Sequence, residues 1–117
     1  MLKLGIIGCG RIVEFAHVDA LKCLADEVEV AALSDPSGVR LETVGKMLQI
    51  GDGRRYEDYW EMLKREDLDF VDIAVPPFLH EKVLLGCAEA KVHVIIEKPI
   101  AGTLEEVDRM LEAVEAN

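Results

Sequence analysis

Three segments of this chain carry side chains whose types and spacing could do chemistry. Glu97 and Lys98 place a carboxylate next to an ammonium, a pair that can orient a hydroxyl group or tune a proton donor. His80 follows two prolines, which end a strand and open a loop, and it is the best placed of the three histidines to meet a ligand. Asp35 offers a carboxylate to neighbouring hydroxyl groups.

Each of these segments also has an ordinary structural interpretation. Adjacent Glu97 and Lys98 can form a surface ion pair, and Asp35 can simply begin a turn before the proline that follows it. His17 and His93 are expected to pack or cap rather than to catalyse. The chemistry of all these residues therefore depends on what the fold brings beside them.

A glycine-rich turn near the N-terminus suggests a ligand. The letters GCGRI at residues 8–12 follow an apolar run and precede a helical pattern. A pyrophosphate needs several backbone N–H donors at close range, and glycine lets the main chain approach that near. Gly8 permits the tight turn, Gly10 leaves room for phosphates, and the helix that begins near Arg11 directs its positive end at them. The alternative is a turn that only reverses the chain, because Val13 replaces the third glycine of the fingerprint.

Hydrophobic periodicity predicts an alternation of strands and helices around this turn. Predicted strands cover residues 4–7, 28–33, a short stretch near Tyr56, 70–75 and 92–96. Helical patterns lie between them, and the last begins at Thr103, with Glu106 completing a capping box. The order predicts an α/β fold, a Rossmann-like doubly wound parallel sheet of about five strands in the order 3-2-1-4-5, with helices on both faces.

Apolar spacing also predicts which helix faces point inward. For the first helix these residues are Ile12, Val13, Ala16, Ala20, Leu21 and Leu24. For the last helix they are Leu104, Val107, Met110, Leu111 and Val114. The acidic side chains between them are expected to face solvent.

Composition limits the classes of partner. The 117 residues suffice for one domain, 1–117, and a net charge of −10 disfavours nucleic acid and anionic membranes as partners. No run approaches the ~20 apolar residues of a membrane span, and no secretion signal is evident. Cys9, Cys23 and Cys87 form no CxxC or Cys/His cluster, so no disulfide framework and no metal site are expected, and a cytoplasmic location fits best. Cys9 is expected to fill the turn rather than act as a redox thiol.

Asp35 indicates the preferred cofactor. In a doubly wound sheet the end of strand 2 lies beside the glycine turn, so this carboxylate can accept both hydroxyls of an adenosine ribose. A 2′-phosphate would face like charge there, which favours NAD over NADP. Ser37 and Arg40 lie close to the same point and weaken that preference.

Four motifs in order resemble the glucose-fructose oxidoreductase and inositol dehydrogenase family (Gfo/Idh/MocA). They are GIIGCGRI with His17, SDP at 34–36, VDIAVPPFLH at 71–80 and HVIIEKPIA at 93–101, and they span nearly the whole chain. The resemblance implies the N-terminal NAD(P)-binding domain of such an enzyme. It implies a cofactor site of Gly8, Gly10, Arg11 and Ile12 at the pyrophosphate, Asp35 at the ribose, Val75, Pro76 and His80 bordering the nicotinamide half, and Glu97 and Lys98 near nicotinamide and substrate. Lys98 is then the catalytic candidate beside the reacting carbon.

The resemblance also implies a part that this chain lacks. Family enzymes continue into a second α/β domain that supplies the substrate pocket, and we expect that domain to be absent from these 117 residues. The chain is then the cofactor half of an NAD-dependent sugar or polyol dehydrogenase, nearly inactive unless a second domain is supplied. We also expect a homodimer or other oligomer, because the uncovered edge should be apolar. The alternatives are a stand-alone nucleotide-binding sensor, a subunit completed by a partner chain, and an S-adenosylmethionine-binding domain.

Overall fold

In the computed structural model, which describes residues 1–117, five parallel strands form one sheet. The strands are β1 (Leu2–Ile7), β2 (Val28–Ser34), β3 (Arg55–Tyr56), β4 (Phe70–Ile73) and β5 (His93–Ile96). Their order is β3-β2-β1-β4-β5, which confirms the predicted topology. After β3 the chain crosses to the other half of the sheet, so the strand order reverses between the neighbouring strands β1 and β4. Ligands of open α/β sheets bind at the carboxyl ends of the strands beside such a reversal.

Five helices connect or follow these strands. Helix α1 combines a π-helical segment, Val13–His17, with an α-helical segment, Val18–Cys23. The others are α2 (Gly38–Leu48), α3 (Tyr59–Arg65), α4 (His80–Glu89) and α5 (Leu104–Ala116), and short 3₁₀ turns cover Asp52–Arg54 and Pro77–Leu79. None of these helices has both the length and the apolar character needed to cross a membrane.

The sheet separates two apolar clusters, one on each face. Successive residues of a strand point to opposite faces, so Leu4 and Ile6 of β1 pack with Val13 and Val18 of α1, whereas Ile7 belongs to the other cluster. That second cluster includes residues of α4 and α5. Burial on both faces explains why the central strands are almost continuously apolar in sequence.

The π-helical segment changes which face of α1 is buried. Val18 N–H donates to the Val13 carbonyl, a bond that spans five residues, and Val13 and Val18 are the buried side chains of the helix. The predicted inward positions Ala16, Ala20 and Leu24 are therefore wrong, because they are exposed. Ile12, also predicted inward, is 47% exposed.

Helix α5 is also more exposed than predicted. Met110 is buried, but Leu104, Leu111 and Val114 are 79%, 55% and 50% exposed, so the prediction that these three point inward is wrong. The helix packs on α4 at the edge of the sheet, where only one side of it meets other residues. Its predicted start is confirmed, because the Thr103 hydroxyl accepts a hydrogen bond from Glu106 N–H at 3.1 Å.

Candidate functional site

The glycine turn after β1 has one closed side and one open side. Gly8 has φ +104°, and a Cβ there would lie 2.5 Å from the Ala74 carbonyl oxygen, so no other residue fits without strain. Gly8 N–H also donates to the Ser34 carbonyl at 2.8 Å, which ties the turn to β2. A Cβ at Gly10 would meet no atom within 4 Å. The turn is thus fixed against the sheet at Gly8 and faces open space at Gly10.

The start of α1 lies beside this open space. Helical backbone begins at Arg11, and Glu14 N–H closes a turn onto the Gly10 carbonyl at 3.1 Å. The N–H groups of the first turn of a helix have no helical acceptor and form a natural site for an anion. The Arg11 side chain is exposed, whereas Val13 is fully buried in the core. Val13 therefore points away from the crevice and does not fill it.

Asp35 lies next to the turn, as the sequence predicted. Its Oδ2 accepts a hydrogen bond from Cys9 N–H at 2.8 Å, and its Oδ1 accepts one from Ser37 N–H at 2.8 Å. The carboxylate thus connects the glycine turn with the start of α2. A carboxylate oxygen has two lone pairs, so both oxygens keep capacity for ligand hydroxyls.

Arg40 is held by partners on the other side of the turn. Its Nε donates to the Cys9 carbonyl at 2.7 Å, and its Nη2 donates to Glu14 Oε1 at 2.7 Å. The side chains of Arg40 and Glu14 are mostly buried, with 29% and 15% of their surface exposed. The sequence indicates Arg40 as a possible ligand for a 2′-phosphate but gives no sign of Glu14, because the two residues lie 26 positions apart.

Cys9 fills the turn and is chemically quiet. Its side chain is fully buried, and burial, together with the neighbouring negative charge of Asp35, raises the pKa of the thiol to about 12. A thiol with that pKa is protonated at neutral pH and a poor nucleophile. The expectation of a packing role is in agreement with this environment.

On the β4–β5 side, Glu97 pairs with His17. His17 Nε2 lies 2.7 Å from Glu97 Oε1, and His17 Nδ1 lies 2.5 Å from Asp72 Oδ2. The alternative of a Glu97–Lys98 surface ion pair is therefore wrong, and Lys98 is exposed. Asp72 was not among the predicted site residues. Its position within an apolar strand is nevertheless a signal, because a buried carboxylate requires a partner.

Burial is the largest influence on the pKa of both His17 and Asp72. Because it favours the neutral form of each group, burial lowers the pKa of His17 and raises that of Asp72. For His17, the charge of Asp72 and the hydrogen bonds to Glu97 and Asp72 outweigh burial, so the pKa is raised above 6.5. For Asp72, burial outweighs the attraction to His17, and the pKa is raised above 3.8. Both shifts favour the protonated form of the group concerned.

The prediction that His80 lies in an open loop is wrong. It is the first residue of α4, and its side chain is fully buried. Its Nδ1 lies 3.0 Å from the Ile100 carbonyl oxygen and its Nε2 lies 2.9 Å from that of Val75. The ring therefore joins the loops that follow β4 and β5 instead of presenting a free nitrogen to a ligand. The ring turns inward because each of its nitrogens pairs with a backbone carbonyl oxygen.

The carboxyl ends of four strands bring most of the predicted residues to one edge. Gly8, Gly10, Arg11, Ile12 and Asp35 follow β1 and β2, and Val75, Pro76, Glu97 and Lys98 follow β4 and β5. The largest cavity lies elsewhere, against α3 and α4, and is lined by Tyr59, Trp60 and Phe78. We assign the candidate site to the strand edge, because the open side of Gly10 and the convergent polar groups are there.

Comparisons with known proteins identify the family of this chain. Residues 2–117 match the model of an oxidoreductase family described as having an NAD-binding Rossmann fold. A myo-inositol 2-dehydrogenase from Thermotoga maritima is 34% identical over 95% of this chain and 32% of its own length. A D-apiose dehydrogenase from Paraburkholderia graminis is 37% identical over 97% of this chain and 29% of its own length.

A solved structure extends the likeness to three dimensions. The WlbA dehydrogenase from Bordetella pertussis, in complex with NADH and UDP-GlcNAcA, superposes with a TM-score of 0.91 at 28% identity, over 98% of this chain and 34% of that one. The chain thus spans about a third of the length of the relatives it matches. It belongs to the Gfo/Idh/MocA oxidoreductase family and forms the NAD-binding Rossmann domain of that family.

Proposed function

We propose that this domain holds NAD across the carboxyl edge of its sheet with the residues that the sequence analysis singled out. The diphosphate lies over Gly10 and the N–H groups of residues 11 and 12, and the adenosine ribose lies on Asp35. The nicotinamide points toward Val75, Pro76 and the turn at Lys98. The observation that carries this proposal is the turn itself, in which Gly8 can be no other residue and Gly10 faces open space.

We propose further that the site prefers NAD to NADP. Two carboxylates, Asp35 and Glu14, flank the position where the adenosine ribose would lie, and the guanidinium of Arg40 is already engaged by Glu14 and the Cys9 carbonyl. A 2′-phosphate would therefore meet negative charge without a free cation to balance it. An NADP complex of a related 3-ketoreductase from Actinomadura kijaniata, 26% identical, shows that relatives differ in this choice.

The proposed reaction of the whole enzyme is hydride transfer between nicotinamide and a hydroxyl carbon of a sugar or polyol. The named activities of relatives, on myo-inositol and D-apiose, support this substrate class. Lys98 is the proposed catalytic residue because it is an exposed ammonium at the nicotinamide end. Turnover requires a positioned substrate as well as cofactor, so we expect the 117 residues alone to be nearly inactive.

We also propose an assembly through the exposed apolar residues at the β5 edge. Ile95 of β5 on one face of the sheet, and Leu111 and Val114 of α5 on the other, are each at least half exposed. Covering them against a second copy or against another domain would remove apolar surface from water. A reducing compartment such as the cytoplasm suits three cysteines that are all free.

Cofactor binding is tested by a pair of glycine substitutions. Gly10→Val adds a side chain that meets no protein atom but fills the proposed diphosphate position. Gly53→Val is the matched control, because its Cβ also meets nothing and its loop lies at the opposite end of β3 from the ribose position. We expect calorimetry to give at least about a tenfold weaker NAD affinity for the first variant only.

The same titrations separate the competing functions. Binding of S-adenosylmethionine in preference to NAD would contradict the proposal, as would an unchanged NAD affinity in the Gly10→Val variant. Gel filtration at high concentration tests the assembly, and a clean monomer would contradict it. Thermal unfolding with added NAD provides a second measure of binding, since a ligand specific for the folded state must raise the midpoint.

A further inference from the structure

Three ionisable side chains from three elements form a hydrogen-bonded chain beneath the turn that carries Lys98. His17 belongs to α1, Asp72 to β4, and Glu97 follows β5. Both ring nitrogens of His17 face carboxylate oxygens, at 2.5 Å for Asp72 and 2.7 Å for Glu97.

When Asp72 and Glu97 are both ionised, their two contacts require a doubly protonated ring. A neutral imidazole has one N–H, so its second nitrogen would face a carboxylate oxygen with no proton between them. Asp72 is only 7% exposed and its Oδ1 has no hydrogen-bond partner, so the imidazolium is the group that balances its charge. Asp72 and Glu97 are the only charged groups facing His17, because the other side chains lining this recess, from α1, β1, β2, β4 and β5, are apolar.

Glu97 is in turn fixed to the sheet through its backbone. Its N–H donates to the Ile73 carbonyl at 3.1 Å, and its side chain is held by His17. Lys98 is the next residue along the chain, and it has no partner of its own among the ion pairs of this structure. Glu97 thus attaches the Lys98 turn on one side, and the contact of His80 with the Ile100 carbonyl attaches it on the other.

We propose that His17 is a positioning residue whose imidazolium form holds Glu97, and with it the Lys98 turn, in place for the nicotinamide end of the cofactor. This inference rests on the proposed function. Loss of the ring proton leaves one of the two carboxylates without a hydrogen bond and releases the turn. The consequence is that only the part of the NAD affinity that comes from the nicotinamide end depends on pH, since the diphosphate and ribose contacts involve other groups.

The test compares NAD with ADP-ribose, which has the adenosine and diphosphate but no nicotinamide. Calorimetry on the full chain between about pH 6 and about pH 9 measures both affinities for the wild type, His17→Gln and His93→Gln. His93 is the matched control because it is exposed on β5. We expect the wild-type NAD affinity to fall at least about fivefold as pH rises while ADP-ribose affinity stays constant. His17→Gln should bind NAD weakly at every pH, and His93→Gln should behave as the wild type.

Two further measurements keep the test decisive. Nitrogen NMR of the His17 ring should show both nitrogens protonated at neutral pH, and a single protonated nitrogen would overturn the inference. If His17→Gln does not fold, His17→Gln/Asp72→Asn removes the buried charge together with its partner and should show the same flat pH profile. A parallel loss of both ligands with pH, or no pH dependence of NAD binding in the wild type, would also overturn it. Failure of both ligands to bind at any pH would instead contradict the proposed function.

Discussion

The two halves of the carboxyl edge are built from different kinds of interaction. At the β1–β2 half, backbone groups dominate: Gly8 is fixed by its own dihedral angle, and Asp35 accepts from two N–H groups at 2.8 Å. At the β4–β5 half, side chains dominate, since His17 joins Asp72 to Glu97. The first half is set by local chain geometry and the second by charges that distant elements bring together.

This difference predicts different sensitivities. The contacts that fix the β1–β2 half join backbone N–H groups to Asp35 and involve no histidine, so this half should hold its shape between about pH 6 and about pH 9. Asp72 and Glu97 raise the pKa of the His17 imidazole above its ordinary value, so the β4–β5 half should change as pH rises through that pKa. His80 strengthens the same half by a second route, because it joins the backbone of the two loops there.

The largest effect is expected from Gly8→Ala. Its φ of +104° is unfavourable for any residue with a Cβ, and that Cβ would lie 2.5 Å from the backbone of Ala74. We expect a loss of about 2–4 kcal/mol in the free energy of unfolding, measured by urea denaturation. Gly53→Ala, in open space, is the control and should change stability by less than about 0.5 kcal/mol. Equal stabilities for the two variants would show that the first half is not set by this dihedral angle.

A smaller effect is expected from pH on the other half. The folded-state pKa of His17 is raised above its ordinary 6.5, despite burial, by Asp72 and Glu97. Its stabilising contribution is therefore fully present below pH 6.5 and is lost as pH rises through the folded-state value. We expect His17→Gln to cost more stability at about pH 6 than at about pH 9, by on the order of 1 kcal/mol.

Urea denaturation of wild type and variant at both pH values measures this difference. His93→Gln provides the baseline, because its side chain is exposed. A cost of His17→Gln that does not vary with pH would show that the ring acts only by packing.

The smallest effect concerns cofactor choice in the first half. Glu14→Gln removes the charge that engages Arg40 and lets the guanidinium turn toward a 2′-phosphate. We expect the NADP-to-NAD affinity ratio, measured by calorimetry, to rise about three- to tenfold. Glu29→Gln, which loses an exposed pairing with Arg54, should leave the ratio unchanged. A ratio that stays constant in both variants would mean that Asp35 alone sets the preference.

Much of the fold follows from periodicity along the chain. Continuous apolar runs predicted the strands, and the order of elements predicted β3-β2-β1-β4-β5, because right-handed crossovers leave few other arrangements. The inward face of α1 could not be predicted in the same way. Its spacing was judged on 3.6 residues per turn, whereas the π-helical segment places Val13 and Val18 on one face.

The candidate site divides in the same manner. Gly8, Gly10 and Asp35 were correctly predicted to lie together, because their positions follow from short-range geometry and from neighbouring strands. The position of His80 was predicted wrongly, since the carbonyls that occupy its ring lie five and 20 residues away. Nothing in a linear pattern shows whether a histidine beside two prolines turns outward or into the protein.

The sequence by itself determined the alternation of strands and helices and the need for glycine at the first crossover, because both depend on residues close together in the chain. Only the tertiary structure decided the roles of His17, Asp72 and Glu97. The partners of His17 lie 55 and 80 positions away, so no local pattern brings them together. Their charges matter because they are partly buried, and a buried charge is costly unless a partner balances it.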